Sequence, residues 1–544
     1  MSNRRKAGKK KASEGLVREA VQDITSRVTG IYVFLMFFVF PLFVTDKYYN
    51  VLKDKYYFFF YATLACAVIC LTAWIISVIG KKKQKPAEEG KTFFQKAGEF
   101  FTGLWKKLTL TDKFFYGFIL VVLISTAFSE WPYEAFWGNM GRLQGCFFFL
   151  IVSVSYFMVS RLYRFRRFHL YALLLSGLLL TLWGITDYLG LDIMGYRADA
   201  GNTTEILTFT SSIGNINTYT GIVALYAGAA AVLCIISDKW YLAFPSMFIF
   251  VMGLVTGVSD NAVLCMAAIY GLLPFSAFRS KKGVIRYLFL VATALFAMGV
   301  SAVLTNHWTL TVTTSAYPWL IGVLMDISFK FTKVLLIAGA LLCGAAAALH
   351  FVWKDTPDFK TNVLIKIWGF FFAAVFAAVV ALFVVSNTKG VPEPLKGYEN
   401  ILVFDDRWGT NRGFAWKYLF YYFSRFPLHK KLFGSGPETY SIFMAKNHYY
   451  EMKNFMDAVF DSPHSEALQY LFTTGILGFL TYYGAVVSAS VRGIRAGKTA
   501  YVFAFALIGA TAASLINISV PITTPLVFMS MAIAGSIIES EETD

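Results

Sequence analysis

Charge is scarce in this sequence. Of its 544 residues only 15% are charged, well under the roughly 25% of an ordinary water-soluble domain, and the acidic side is the poorer, 33 Asp and Glu against 49 Lys and Arg. Cysteine is rarer still. The six (Cys66, Cys70, Cys146, Cys234, Cys265 and Cys343) lie in or at the edge of apolar runs, without the spacing of a metal site, which excludes a disulfide framework and a zinc cluster. The alternating segments of about 10 residues that mark a membrane β-barrel are missing. So is the internal duplication with paired broken helices that many transporters show. What fills the chain instead is apolar residues, 57% of the whole with 18% aromatic, gathered in runs such as "FHLYALLLSGLLLTLWGITDYLG" that are apolar on every side. Runs of that length and uniformity cross hydrocarbon as helices. The fold class is therefore all-α, a polytopic membrane protein with about 12–14 spans.

The best count is fourteen spans between residues 28 and 538, with 305–350 the weakest because Asp326, Lys330 and Lys333 interrupt it; its first half is expected as either an external or re-entrant helix or part of a tilted span. The start, "MSNRRKAGKKKASEG", is basic and lacks the apolar region and cleavage site of a signal peptide, so residues 1–27 are expected as a cytoplasmic tail. Counting alternate connections from there places Lys81 to Lys83, Arg161 to Arg167, Arg279 to Arg286 and Arg492 to Lys498 on the same inner side, as positive charge prefers. Orientation and attraction to anionic membrane lipid thus absorb much of the net charge of +16, and no nucleic acid is expected as a partner. Both termini are expected on the cytoplasmic side of the cell membrane, the second as a short acidic tail, 539–544. Within the inner loop 81–113, "KTFFQKAGEFFTGLWKK" sets aromatics at helical spacing against lysines and reads as an interfacial helix.

The expected layout is a transmembrane bundle over 28–386, one long connection over 387–466 that lies outside, and terminal spans over 467–538. The connection is too rich in aromatics for a disordered linker. It supplies Arg407, Arg412, Arg425, Lys430 and Lys431, the turn "FGSGPETY" with Gly434 and Gly436, and then His464 and Glu466 where the next span begins. Guanidinium forks and a glycine turn suit an anion such as a phosphate. The turn lacks the lysine and strand of a nucleotide-binding loop, so a plain surface turn competes with that reading. His464 likewise has two readings. It is a helix cap, or it is a general base kept neutral by the positive end of the helix it opens.

Here the residues carry a resemblance. "NRGFAWKYLFYYFSRFPLHKKLFGSGPETY" followed by "HSEALQYLFTTGILGF" resembles the O-antigen ligase and polymerase superfamily, with Arg412, Trp416, Pro427, Gly434, Gly436, His464 and the run Thr474 to Gly478 on its pattern. "FWGNMGRLQG", with Arg142, and "SSIGNINTYTG" resemble two upstream segments of the same superfamily. The resemblance implies a GT-C-like bundle and an inverting, metal-independent glycosyltransferase without a cofactor, working on the outer face. Its donor is expected to be an undecaprenyl-diphosphate-linked saccharide, and its acceptor a glycan or another cell-envelope hydroxyl. It further implies His464 as base and Arg412 on the diphosphate; Glu466 beside the histidine is a second catalytic candidate or, the preferred reading, an orienting or capping residue. The chain departs from the family at "TGVSDNAVL", where members commonly carry an arginine and this chain has Asp260; Arg142 or Arg407 is expected to supply that charge. It also reads His-Ser where His-Asn is usual. The competing classes are a glycan transporter or flippase without covalent chemistry, for which Asp187, Asp260, Asp326 and Lys330 would line a path, and a catalytically dead relative that only binds.

Overall fold

A computed structural model describes residues 19–79, 106–139, 141–197, 209–307, 319–354, 356–457 and 459–536. Residues 1–18 of the expected N-terminal tail, the acidic C-terminal tail and the expected interfacial helix near 93–105 lie outside the described residues, while residues 19–27 of that tail are helical and continue into the first span. The chain folds into α1 (Glu19–Leu42), α2 (Val51–Ile79), α3 (Leu110–Ala127), α4 (Pro132–Trp137), α5 (Cys146–Arg161), α6 (Arg167–Tyr188), α7 (Ile216–Ile236), α8 (Trp240–Thr256), α9 (Asn261–Ala277) and α10 (Lys281–His307). Then come α11 (Trp319–Lys330), α12 (Thr332–Trp353), α13 (Val363–Thr388), α14 (Glu399–Leu402), α15 (Trp408–Arg425), α16 (Leu428–Phe433), α17 (Tyr440–Met456), α18 (Glu466–Ala496), α19 (Lys498–Ser514) and α20 (Thr524–Ser536). Among the described residues the strands are one two-residue antiparallel pair, β1 (Phe209–Thr210) with β2 (Gly214–Asn215).

Nine of these helices are long and apolar enough to cross a membrane, and five shorter apolar ones accompany them among the described residues. The protein is an all-α, multi-pass membrane protein. The 305–350 stretch divides at Phe331, which leaves the helical region (φ −115°, ψ 22°). Its first part is the separate helix α11 and its second is α12.

The bundle is organised around α7, an Ala- and Gly-rich helix with 83% of its most apolar window buried. It lies along α19, and the approach is set by glycine: a Cβ on Gly228 would overlap the Phe505 carbonyl, and one on Gly509 the Ala224 carbonyl. Small residues that let backbones touch are how apolar helices associate when lipid is as greasy as their own side chains. At the other extreme α13 has none of its apolar window buried and α12 has 11%, so their aliphatic surfaces are left for hydrocarbon.

Helix α1 shows how a break inside apolar surroundings is satisfied. It widens to a π-turn at Leu35–Val39 ahead of Pro41, a usual cause of local unwinding. The freed carbonyls are then met from outside: Lys55 Nζ donates to Phe40 O at 2.6 Å and Pro41 O at 2.8 Å, Ser212 Oγ to Pro41 O at 2.6 Å, and Ser176 Oγ to Phe37 O at 2.6 Å. An unpaired backbone group in this setting costs several kcal/mol.

The connection between α13 and α18 is folded, with its own core. Phe414, Leu419, Phe426, Tyr440, Met444, Met452 and Phe460 pack around Phe472. Because Phe472 belongs to α18, this core is fastened to the bundle rather than hanging from it.

Candidate functional site

A break in α18 fastens the glycine turn to the bundle. Gly475 interrupts the helix at φ 69°, ψ −173°, a region that is essentially closed to residues with a Cβ. The carbonyls of Phe472 and Thr473 lose their helical partners there. The Gly434–Ser435–Gly436 turn replaces them: Ser435 N donates to Phe472 O at 3.1 Å and Gly436 N to Thr473 O at 3.0 Å, while Ser125 Oγ adds a bond to Thr473 O at 2.6 Å. Gly434 (φ +83°) backs directly onto Gly475, and a Cβ on either would overlap main chain. The turn therefore spends two of its amides on the helix, as a clasp. Gly475→Ala should destabilise the protein by about 2–4 kcal/mol, from a left-handed backbone and an unavoidable overlap with main chain, visible as a lower melting temperature in detergent; an unchanged melting temperature would mean the clasp relaxes freely.

His464 lies just ahead of α18. It adopts a left-handed conformation (φ +50°), and its amide donates to Ser462 Oγ at 3.3 Å. The cap of α18 is Ser465, whose Oγ accepts from Leu468 N at 3.4 Å, so the imidazole is released from capping. Trp416 Nε1 donates to Pro463 O at 2.8 Å and holds the segment down. The side chain keeps 34% exposure, leaving part of the ring accessible. Burial is the main cause that lowers its pKa, to about 4; the Asp461 carboxylate opposes, and the charges of Arg412 and Arg142 add to the depression. The imidazole is neutral at pH 7.

Two arginines reach this histidine electrostatically, from different parts of the chain. Arg142 comes from the turn between α4 and α5 and is 4% exposed. Its Nε donates to Asp461 Oδ2 at 3.1 Å and its Nη2 to Ser462 Oγ at 3.2 Å, and Nη2 also pairs with Asp461. The other oxygen of Asp461 lies 3.8 Å from His464 Nε2. Arg142, Asp461 and His464 thus form a chain, with the Asp461 carboxylate between the guanidinium and the imidazole.

Arg412 follows three consecutive left-handed residues, Gly409, Thr410 and Asn411. Its Nη1 donates to Gly409 O at 2.6 Å and Thr410 Oγ1 at 2.9 Å, and its Nη2 to Ile516 O at 3.1 Å. The buried Nε has no partner. Of five guanidinium N–H groups, two are left, and a buried unpaired donor is a standing cost of about 1–3 kcal/mol that an anion would relieve.

Asp260 lies behind Arg412 and acts on it electrostatically. Its Oδ1 accepts from Ile321 N at 3.0 Å, which ties the start of α11 to the start of α9. Its neighbours are wired to the Gly-Asn-Ile-Asn segment: Ser259 Oγ donates to Asn217 Oδ1 at 2.6 Å and Asn261 Nδ2 to Asn217 O at 3.0 Å. Asn517 Nδ2 reaches the same carbonyl at 2.9 Å, next to the Ile516 carbonyl that holds Arg412.

The remaining residues singled out in the sequence go elsewhere. Arg407 is exposed, and among the described residues no hydrogen bond or ion pair joins its guanidinium to the cluster. Arg425 stacks on Tyr421, 3.6 Å from the ring centre, and Lys430 pairs with Glu130. Glu466 is buried and turned into the bundle, where Ser514 Oγ donates to it at 2.8 Å and Tyr482 OH at 3.0 Å, beside a cavity of about 20 Å³ lined by Gly221, Asn517 and Thr524, room for roughly one water. Asp461 was not singled out, although its position three residues ahead of His464 in "DSPHSEAL" was a usable signal; Glu438 gave none.

Residues 316–483 match the family model described as O-antigen ligase. The protein carries an O-antigen ligase domain. No curated protein matches the chain. The ligase domain runs from α11 into α18 and holds Arg412, the glycine clasp, Asp461, His464 and Glu466. Arg142 and Asp260 lie upstream of it, so the cluster is completed by the rest of the bundle. The protein is accordingly a membrane enzyme of surface polysaccharide biosynthesis.

Proposed function

We propose that this enzyme transfers a saccharide from an undecaprenyl-diphosphate-linked donor to an acceptor hydroxyl on the outer face of the cell membrane. The observation that carries the reading is the convergence of Arg142 and Arg412 on a neutral, partly accessible His464. The two guanidiniums hold the diphosphate, Arg412 through the two N–H groups its own tethers leave free, and neutralise the charge that grows on it as the glycosidic bond breaks. His464 takes the proton of the acceptor hydroxyl as its oxygen attacks the anomeric carbon, and the sugar inverts. The imidazolium is then stabilised by Asp461. Glu466, bonded inside the bundle, holds the start of α18 and with it the position of His464. Diphosphate is a good leaving group once neutralised by cations, and two arginines supply that charge without a metal ion.

The test is transfer by the purified protein in nanodiscs, supplied with undecaprenyl diphosphate-linked oligosaccharide and an excess of EDTA. Release of undecaprenyl diphosphate together with a lengthened or relocated glycan of inverted anomeric configuration is the expected outcome. Retention of configuration, or transport of intact donor without release, overturns it.

A further inference from the structure

Glu438 is in the cluster and has no part in the transfer just described. It follows the glycine clasp in a left-handed conformation, φ +58°, uncommon for a residue with a side chain, and is 6% exposed. Among the described residues no hydrogen bond or ion pair reaches its carboxyl group. Its surroundings are fixed nonetheless: Ser441 Oγ donates to the Glu438 main-chain carbonyl at 3.4 Å and accepts from Asn139 Nδ2 at 3.0 Å, which pins the turn carrying Arg142 over this residue. The charged or titratable groups acting on it are Arg142 from that turn, Asp461 from the segment before α18, and Tyr470 from α18 itself. Burial, the largest cause, raises its pKa to about 7, with Arg142 opposing and Asp461 reinforcing.

A donor diphosphate on Arg142 and Arg412 brings its negative charge up against Asp461, Asp260 and Glu438. Asp461 is committed to Arg142 and Asp260 to the backbone of α11. Glu438 alone of the three is free of such bonds among the described residues. We propose that Glu438 couples donor binding to proton uptake, accepting a proton from solvent as the diphosphate settles beside Arg142 and turning its O–H toward the anion. The inference rests on the diphosphate reading above. Glu438 is a positioning residue here: no donor bond breaks in this step, and the proton returns to solvent when the diphosphate leaves.

The probe is a short-chain polyprenyl diphosphate N-acetylhexosamine, whose two phosphates are both esterified and keep a constant charge near neutrality. Its affinity for the full-length protein is measured between pH 6.5 and 8.5 for wild type and Glu438→Gln. The proton must be present for binding, so wild-type affinity falls as pH rises through the carboxyl's value, by roughly tenfold or more over that interval if linkage is complete. Glu438→Gln, a permanent neutral donor, is expected to lose that pH dependence and to bind more tightly than wild type at pH 8.5, an outcome a purely structural role would not produce. Equal pH slopes in the two proteins overturn the coupling while leaving the diphosphate site intact. Absence of binding by wild type at every pH overturns the diphosphate reading and the coupling with it.

Discussion

Replacing His464 by asparagine should abolish most glycan transfer while leaving the fold intact. Asparagine is among the few residues at ease in the left-handed conformation that His464 adopts, and Ser465 rather than His464 caps α18, so the thermal midpoint should move little. The base is lost, and general-base catalysis is worth about 10²–10⁴ in rate. The pH profile carries a second signature. Because burial and two arginines hold the imidazole below its ordinary range, the base stays deprotonated, and hence active, at pH values below the ordinary imidazole pKa of about 6.5. The acid limb of kcat/KM in the wild type should therefore fall below that value. The limb of kcat should lie higher, since bound diphosphate cancels the arginine charges that depress His464. A His464→Asn protein with wild-type transfer rates would remove the base from the mechanism.

Arg412→Gln is the second large effect. Glutamine retains an amide able to reach Gly409 or Ile516 carbonyls, so the turn at 409–411 keeps a tether, but the charge and the fork are gone. Loss of a preorganised group that stabilises developing negative charge costs about 10²–10³ in turnover, and donor affinity should fall with it. Removing this cation also removes one cause of the low His464 pKa, so the acid limb of the residual activity should move to higher pH. The two readouts separate roles. The limb moves in either case because it follows from the lost charge; a structural arginine would lower the melting temperature and leave donor affinity intact, whereas an arginine on the diphosphate lowers donor affinity at a nearly unchanged melting temperature.

The fold class was legible because hydrocarbon imposes one rule on every span: among the described residues nine long and five shorter apolar helices lie at nearly the expected places, and one expected run divides in two at Phe331. The split at Phe331 was harder to place, since nothing in composition distinguishes a tilted span from a short helix followed by a long one. In the cluster, the roles of Arg412 and His464 came from the family resemblance, since the loop's cations and glycine turn alone gave a weak signal, and their relations depended on contacts across hundreds of residues. Arg142 bonds to Asp461, 319 positions away, and no periodicity reports such a pairing. The glycine turn illustrates the reverse error of emphasis. Read as a possible anion cradle or a plain turn, its amides instead serve a helix break whose only sequence trace is Gly475. Asp260, where the resembled family commonly carries an arginine, holds the start of α11, and in the proposed mechanism that charge comes from Arg142.

The seam between residues 316–483 and the rest of the chain runs straight through the cluster, with Asp461 and His464 on one side and Arg142 on the other. The matched stretch is consequently not an exchangeable cassette. A graft of that stretch onto a foreign bundle would arrive with Asp461 lacking its counter-charge and with the clasp lacking Ser125, so specificity in this enzyme has to be re-engineered across both halves at once.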